Sequence, residues 1–178
     1  MKVYIERHTQ VPHNALHQYN TADEDLTEKG IRQATELSEK IKDKHFDIII
    51  SSPLIRAKHT AEIIANNNEI FFDDRLKERN CGSLSGQPLE VTNREEYWNY
   101  YTTIQYGTSE NIQEFFKRVY DFLDELKTKN YESVLIIAYS GVSKEFLKIK
   151  IENPRLCREW GADIRLSADG YFFLGLMQ

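Results

Sequence analysis

Four short apolar runs punctuate the chain: KVYI at 2–5, FDIII at 46–50, EIFF at 69–72 and SVLIIA at 133–138. Runs of this length with polar flanks predict buried strands. Between them the apolar spacing changes to three and four. Ile31, Ala34, Leu37 and Ile41 fall on one face of a helix whose start Thr27 can cap with its hydroxyl. A second helix has Pro53 in its first turn, continues through LIRAKHTAEIIA and stops at NNN. The third runs from Ser109 to about Lys129, where Ile112, Phe115, Phe116, Val119, Phe122, Leu123 and Leu126 form an apolar stripe opposite charged residues. Residues 161–176 carry Asp169 and Gly170 between two strand-like runs and predict a closing hairpin. Strands alternating with helices predict an α/β fold, with a mostly parallel sheet covered on both faces and ligands bound beyond the carboxyl ends of the strands.

Composition narrows this picture. At 178 residues the chain has the length of one domain, and residues 1–178 are read as one unit. No apolar run approaches the ~18 residues of a membrane helix, and the start lacks the pattern of a signal peptide, so a cytoplasmic protein without membrane attachment is expected. A net charge of −5 argues against a nucleic-acid partner and confines any anion site to a local pocket. Cys81 and Cys157 are read as reduced thiols. His13 and His17 lie four apart, but the surroundings of Pro12 are read as non-helical and no carboxylate pair joins them. Neither a metal nor another cofactor is expected.

Arg7, His8, Ser51, Ser52 and Tyr139 all fall at predicted strand ends. Taken singly they decide little. A histidine at a strand end serves equally as a polar rim residue, Arg56 as a solvated helix position, His59 as helix surface, and Glu78, set among Arg75, Lys77 and Arg79, as a surface ion pair. Their order carries more information. RHT with the later Asn14, SSPLIRA after the second strand, LKERNCG after the third, and a polar turn after SVLIIA together resemble the histidine phosphatase superfamily, the phosphoglycerate-mutase-like fold, over about residues 2–144.

The resemblance implies a three-layer α/β/α sandwich and a phosphomonoester hydrolase acting on a small phosphorylated substrate, with oligomeric state left open. It makes His8 the nucleophile, Arg7, Asn14 and Arg56 the phosphate clamp, and Glu78 the proton donor, with Thr9, Tyr139 and Ser140 as further substrate contacts. The chemistry agrees: neutral imidazole is nucleophilic near pH 7, guanidinium forks hold phosphoryl oxygens in line, and a carboxyl of raised pKa can protonate the leaving oxygen. A helical cover segment over the site is expected at about 87–107, where Tyr97, Trp98, Tyr100, Tyr101 and Tyr106 cluster.

Two departures stand out. Thr9 occupies the place of a glycine, so a β-branched residue must accept a turn given elsewhere to a permissive one. Tyr139 occupies the place of a second histidine, and its longer, neutral phenol is expected to intrude on the pocket. Losing a charge-assisted donor to the transition state costs about 10²- to 10³-fold in turnover. The expected activity is therefore an impaired hydrolase; the alternative is a catalytically silent module that binds phosphoryl ligands or regulates. A flavodoxin-like domain would need a glycine-rich loop after the first strand, which RHTQVPHN lacks. Past Ser143 the stretch KEFLKIKIENPRLCREW departs from the resemblance.

Overall fold

The computed structural model describes residues 1–139, 141–142, 162–166 and 172–176. Strand β1 (Lys2–Arg7) opens the chain, and a single helical turn α1 (Pro12–Ala15) precedes the long helix α2 (Glu28–Ile41). Then come β2 (Ile48–Ser51), α3 (Ile55–Ala65), β3 (Ile70–Phe72), the one-turn helix α4 (Arg94–Tyr97), α5 (Ile112–Lys127), β4 (Ser133–Ala138) and the strands β5 (Ala162–Leu166) and β6 (Phe172–Leu176). The sheet order is β3-β2-β4-β1-β6-β5. Strands β1 to β4 run parallel, and β6 joins β1 antiparallel and pairs with β5 as the expected hairpin. Asp169 and Gly170, assigned to its turn, lie outside the described residues.

The central strands are apolar on both faces because both are covered: Val134 to Ala138 are all buried, as are Val3 and Ile5. Helix α5 buries all seven residues of its predicted stripe, each full burial of a large apolar side chain contributing about 1.5–3 kcal/mol. Its start is later than expected, since Asn111 rather than Ser109 caps it by accepting from the Gln113 and Glu114 amides.

Three local expectations are corrected. In α2 the buried stripe is Gly30, Ala34 and Leu37, while Ile31 is 40% exposed. The helix axis is set by backbone contact at Gly30, where a Cβ would overlap the carbonyl of Gln10, and this turns Ile31 outward. Pro53 stands before the helix rather than within its first turn, because Leu54 keeps an extended backbone as the cap of α3; Asn66, at φ 45°, closes that helix as NNN predicted. The segment near Pro12 is helical after all, with proline at the first position, where no amide hydrogen is needed.

Candidate active site

Strands β1 and β4 lie side by side and end level, with Arg7 opposite Ala138. The ladder extends one step further, since the His8 amide donates to the Ala138 carbonyl at 3.0 Å. On the other side of β4, the Ser52 amide donates to Ile137 at 3.0 Å. His8, Ser52 and Tyr139 thus emerge together at the carboxyl edge of a parallel sheet, where open α/β folds place ligands.

His8 is 4% exposed. Its Nδ1 lies 2.8 Å from the Thr9 carbonyl, which can only accept, so the hydrogen sits on Nδ1 and the lone pair on Nε2. Burial, reinforced by the positive charges of Arg56 and Arg7, pushes the pKa down to about 3, so the ring is neutral at physiological pH. Thr9 pins the turn: its amide donates to Thr60 Oγ1 at 3.2 Å, and Thr60 donates to the Arg56 carbonyl at 2.7 Å. The left-handed conformation feared for this β-branched residue is absent, because the described non-glycine residues at positive φ are His17, Asn66 and Asn67.

Arg56 projects from the first turn of α3 and is 3% exposed. One Nη1 bond goes to the Thr21 carbonyl at 2.7 Å, while the buried Nε has no hydrogen-bond partner among the described residues. Arg7 lies at the mouth; partial burial lowers its pKa, Glu78 opposes the shift, and the charges of Arg56 and Arg94 add to it. Asn14 is held by a chain of side chains that the sequence reading missed. It donates to Asn20 at 3.1 Å, Asn20 donates to Glu24 at 2.7 Å, and Glu24 accepts the His13 amide at 2.6 Å. Glu24 reads as one more surface acid in TADEDL, yet it is buried; His13 pairs with it and does not join His17. Among the described residues, no group of three His, Cys, Asp or Glu side chains could hold a metal ion.

Glu78 lies in the loop after β3, and its carboxylate accepts the amides of Arg79, at 3.1 Å, and Gly141. Burial still dominates and holds its pKa above the usual carboxylate range, against the pull of those amides, Arg56 and Arg7. The surface-pair alternative therefore fails. Gly141 is needed for this approach, since a Cβ there would overlap the carboxylate and the Trp98 ring. Arg118 of α5, also missed, fixes the loop by donating to the carbonyls of Arg75, Lys77 and Glu78 at 2.7, 2.7 and 3.1 Å while paired with Glu110.

Tyr139 differs from its expected placement. It is 1% exposed, and its hydroxyl lies 3.3 Å from Ser52 Oγ. The ring packs 5.1 Å from the His8 ring and 4.8 Å from the Arg56 guanidinium, a cation–π contact. A large aromatic ring gains more from this apolar, cation-backed slot than from standing in the pocket, so it neither intrudes on the cavity nor lines it. Thr9 is likewise absent from that lining, and Ser140 lies outside the described residues.

The cavity measures about 210 Å³ and brings together Arg7, His8, Asn14, Arg56 and Glu78. The expected cover segment is less helical than predicted. It comprises the 3₁₀ turn Leu89–Val91 and α4, tied down by Tyr97, which is 1% exposed. It contributes Leu89, Arg94, Tyr97 and Trp98 to the wall. Cys81 also lines the cavity, but burial pushes its thiol up to about 11, which leaves it protonated.

A cationic pocket with a neutral, tautomer-fixed imidazole suits attack on a phosphoryl group, and comparison with known proteins agrees. Residues 3–156 match the histidine phosphatase superfamily (branch 1), and the chain belongs to that superfamily. It is 26% identical over 170 residues to phosphoserine phosphatase 1 of Hydrogenobacter thermophilus, covering 90% of this chain and 80% of that one. A second protein of that organism, provisionally named phosphoserine phosphatase 2, is 32% identical over 149 residues, covering 79% of this chain and 73% of the other. The fold resembles the crystal structure of the alpha-ribazole phosphatase of Shigella flexneri, with a TM-score of 0.76 at 22% identity over 99% of this chain and 96% of that one. The phosphoglycerate-mutase-like α/β fold expected from the sequence is the fold observed. Among the described residues, no helix is long and apolar enough to cross a membrane.

Proposed function

We propose that this protein hydrolyses small phosphomonoesters through a phosphohistidine on His8. The observation that carries this reading is the His8 Nδ1–Thr9 carbonyl contact of 2.8 Å, which leaves Nε2 as the free nucleophile in a cavity shared with Arg7, Arg56 and Glu78. Nε2 attacks phosphorus, the bond to the leaving oxygen breaks, and the Glu78 carboxyl gives that oxygen its proton. Arg7, Arg56 and Asn14 hold the equatorial oxygens in line. Water then attacks phosphorus, Glu78 takes back a proton, and phosphate leaves with the imidazole neutral again. The raised Glu78 pKa supports the first role, since its protonated form persists above the ordinary carboxylate range.

The phosphoserine phosphatase relatives support a small phosphorylated metabolite as substrate. A second reading, a silent phosphoryl-binding module, draws on one observation: the Tyr139 hydroxyl turns to Ser52, so this side of the pocket lacks a donor to the phosphoryl group. Turnover of p-nitrophenyl phosphate, with intact mass measured after acid-free quenching, separates the two. The hydrolase reading expects an adduct of one phosphoryl group on His8 and a loss of at least about 10³-fold in His8→Ala. Wild-type protein that binds phosphate yet shows neither turnover nor adduct would establish the silent module.

A further inference from the structure

The charges around the cavity do not balance on a phosphoryl group alone. A phosphomonoester carries about −1.5 to −2 near neutral pH, and Arg7 and Arg56, which flank His8, match it. Two more of the lining cations are engaged elsewhere. Arg79 donates to the carbonyls of Glu110 and Tyr97 and stacks 4.0 Å above the Tyr97 ring. Lys77 pairs with Asp74 at 2.9 Å. Arg94 is the remainder.

Its guanidinium rests 5.5 Å over the Tyr19 ring and has neither a hydrogen bond nor a carboxylate partner among the described residues. Glu90, Glu95 and Glu96 are its neighbours in sequence, so the lack of an ion pair is not for want of acids. Nor is the position accidental. Arg94 is the first residue of α4, capped by Asn93, and α4 is fixed to the body by the buried Tyr97. Beneath it, Tyr19 is held by a 2.5 Å hydroxyl contact with Thr92. A supported guanidinium at the cavity wall, close enough to Arg7 to affect its ionisation, is built to receive an anion.

Building on the hydrolase reading, we infer that Arg94 selects phosphomonoesters whose alcohol carries a second anionic group, which it binds while Arg7 and Arg56 hold the phosphoryl group. The group is a carboxylate or a second phosphate, since a guanidinium fork fits both.

Binding measured by calorimetry tests this whether or not the site turns over. O-phosphoserine and O-phosphoethanolamine differ only by a carboxylate; fructose 1,6-bisphosphate and fructose 6-phosphate differ by a phosphate. Wild-type protein is expected to prefer the more anionic member of one pair by about tenfold, the size of one charge-assisted hydrogen-bonded contact. Arg94→Ala should reduce that preference to within about twofold, and Arg94→Lys should keep part of it. The pair that responds identifies the group. Equal affinities within both pairs, or a preference that survives Arg94→Ala, would overturn the inference, as would failure of all four ligands to bind. The hydrolase reading is judged separately, by the His8 adduct.

Discussion

The ends of β1 and β4 are neighbours in register, yet they put their next residues to opposite uses. After β1, His8 turns a ring nitrogen toward the cavity, its other nitrogen held by Thr9 at 2.8 Å. After β4, Tyr139 lies beneath the cavity floor, its hydroxyl on Ser52 and its face against Arg56. The backbone geometry is shared, so the side chain decides. An imidazole is short and divalent in hydrogen bonding, and can be anchored on one side while offering the other. A phenol has one polar atom at its far end, and once that atom is satisfied in the core only an apolar face remains. Position in the fold therefore does not assign a role; the hydrogen-bonding valence of the side chain does. Arg56 touches both ends, gripping the site from above Tyr139 and lowering the pKa of His8.

The largest effect is accordingly expected at Arg56. Arg56→Ala should lower kcat/KM for p-nitrophenyl phosphate by about 10³-fold, the upper range for loss of a preorganised donor to developing charge. Arg56→Lys should recover little of this, because an ammonium cannot both bond the Thr21 carbonyl and keep a fork for phosphate. A loss below tenfold in Arg56→Ala would separate the two strand ends and refute the shared clamp.

Much of this was legible in the sequence, for reasons that differ by residue. The central strands announce themselves as unbroken apolar runs because a parallel sheet covered on both faces tolerates little else. His8, Arg56 and Glu78 could be singled out because the segments carrying them keep a fixed order and spacing. Glu24, Arg118 and Arg94 could not. Each acts across the fold, from 10 to 43 residues away for Glu24 on Asn14 and Arg118 on the Arg75 carbonyl, and charged residues in polar segments look alike until packing makes them partners. Tyr139 shows the same limit from the other side. Its mismatch was plain in the sequence, but its direction depended on Ser52 and Arg56, one strand and one helix away.

The next effect restores symmetry between the strand ends. Tyr139→His should raise turnover by about 10²-fold, because it returns a donor to the phosphoryl group, while the affinity for inorganic phosphate changes less. Tyr139→Phe is the control: its hydroxyl is bound to Ser52 and not turned to the cavity, so kcat should stay within about threefold of wild type. A large fall in Tyr139→Phe would mean the phenol does reach substrate, and the contrast between the two ends would dissolve.

The smallest effect concerns stability. In the folded protein the His8 pKa is lowered from 6.5 to about 3, so between these values the unfolded chain takes up a proton that the native state refuses. Stability is then complete above pH 6.5 and is lost as pH falls toward 3, with a slope approaching about 1.4 kcal/mol per pH unit. His8→Ala removes this term. Burial raises the pKa values of Glu78 and Glu6, the latter to about 8, and gives them the opposite slope: the native state holds their protons longer, so stability falls as pH rises from 4.5. Both acids are present in wild type and variant, so their contributions cancel in the difference. Burial pushes the Tyr139 phenol up to about 12, so it contributes no slope in acid, and Tyr139→Phe should follow wild type there. Urea unfolding at pH 7 and pH 5 should therefore show His8→Ala gaining about 1–2 kcal/mol relative to wild type as the pH falls. Parallel curves for His8→Ala and wild type would mean that His8 takes its proton as readily in the fold as outside it. The imidazole at the end of β1 would then be solvated, and the nucleophile assigned to it would have no buried, neutral ring to work from.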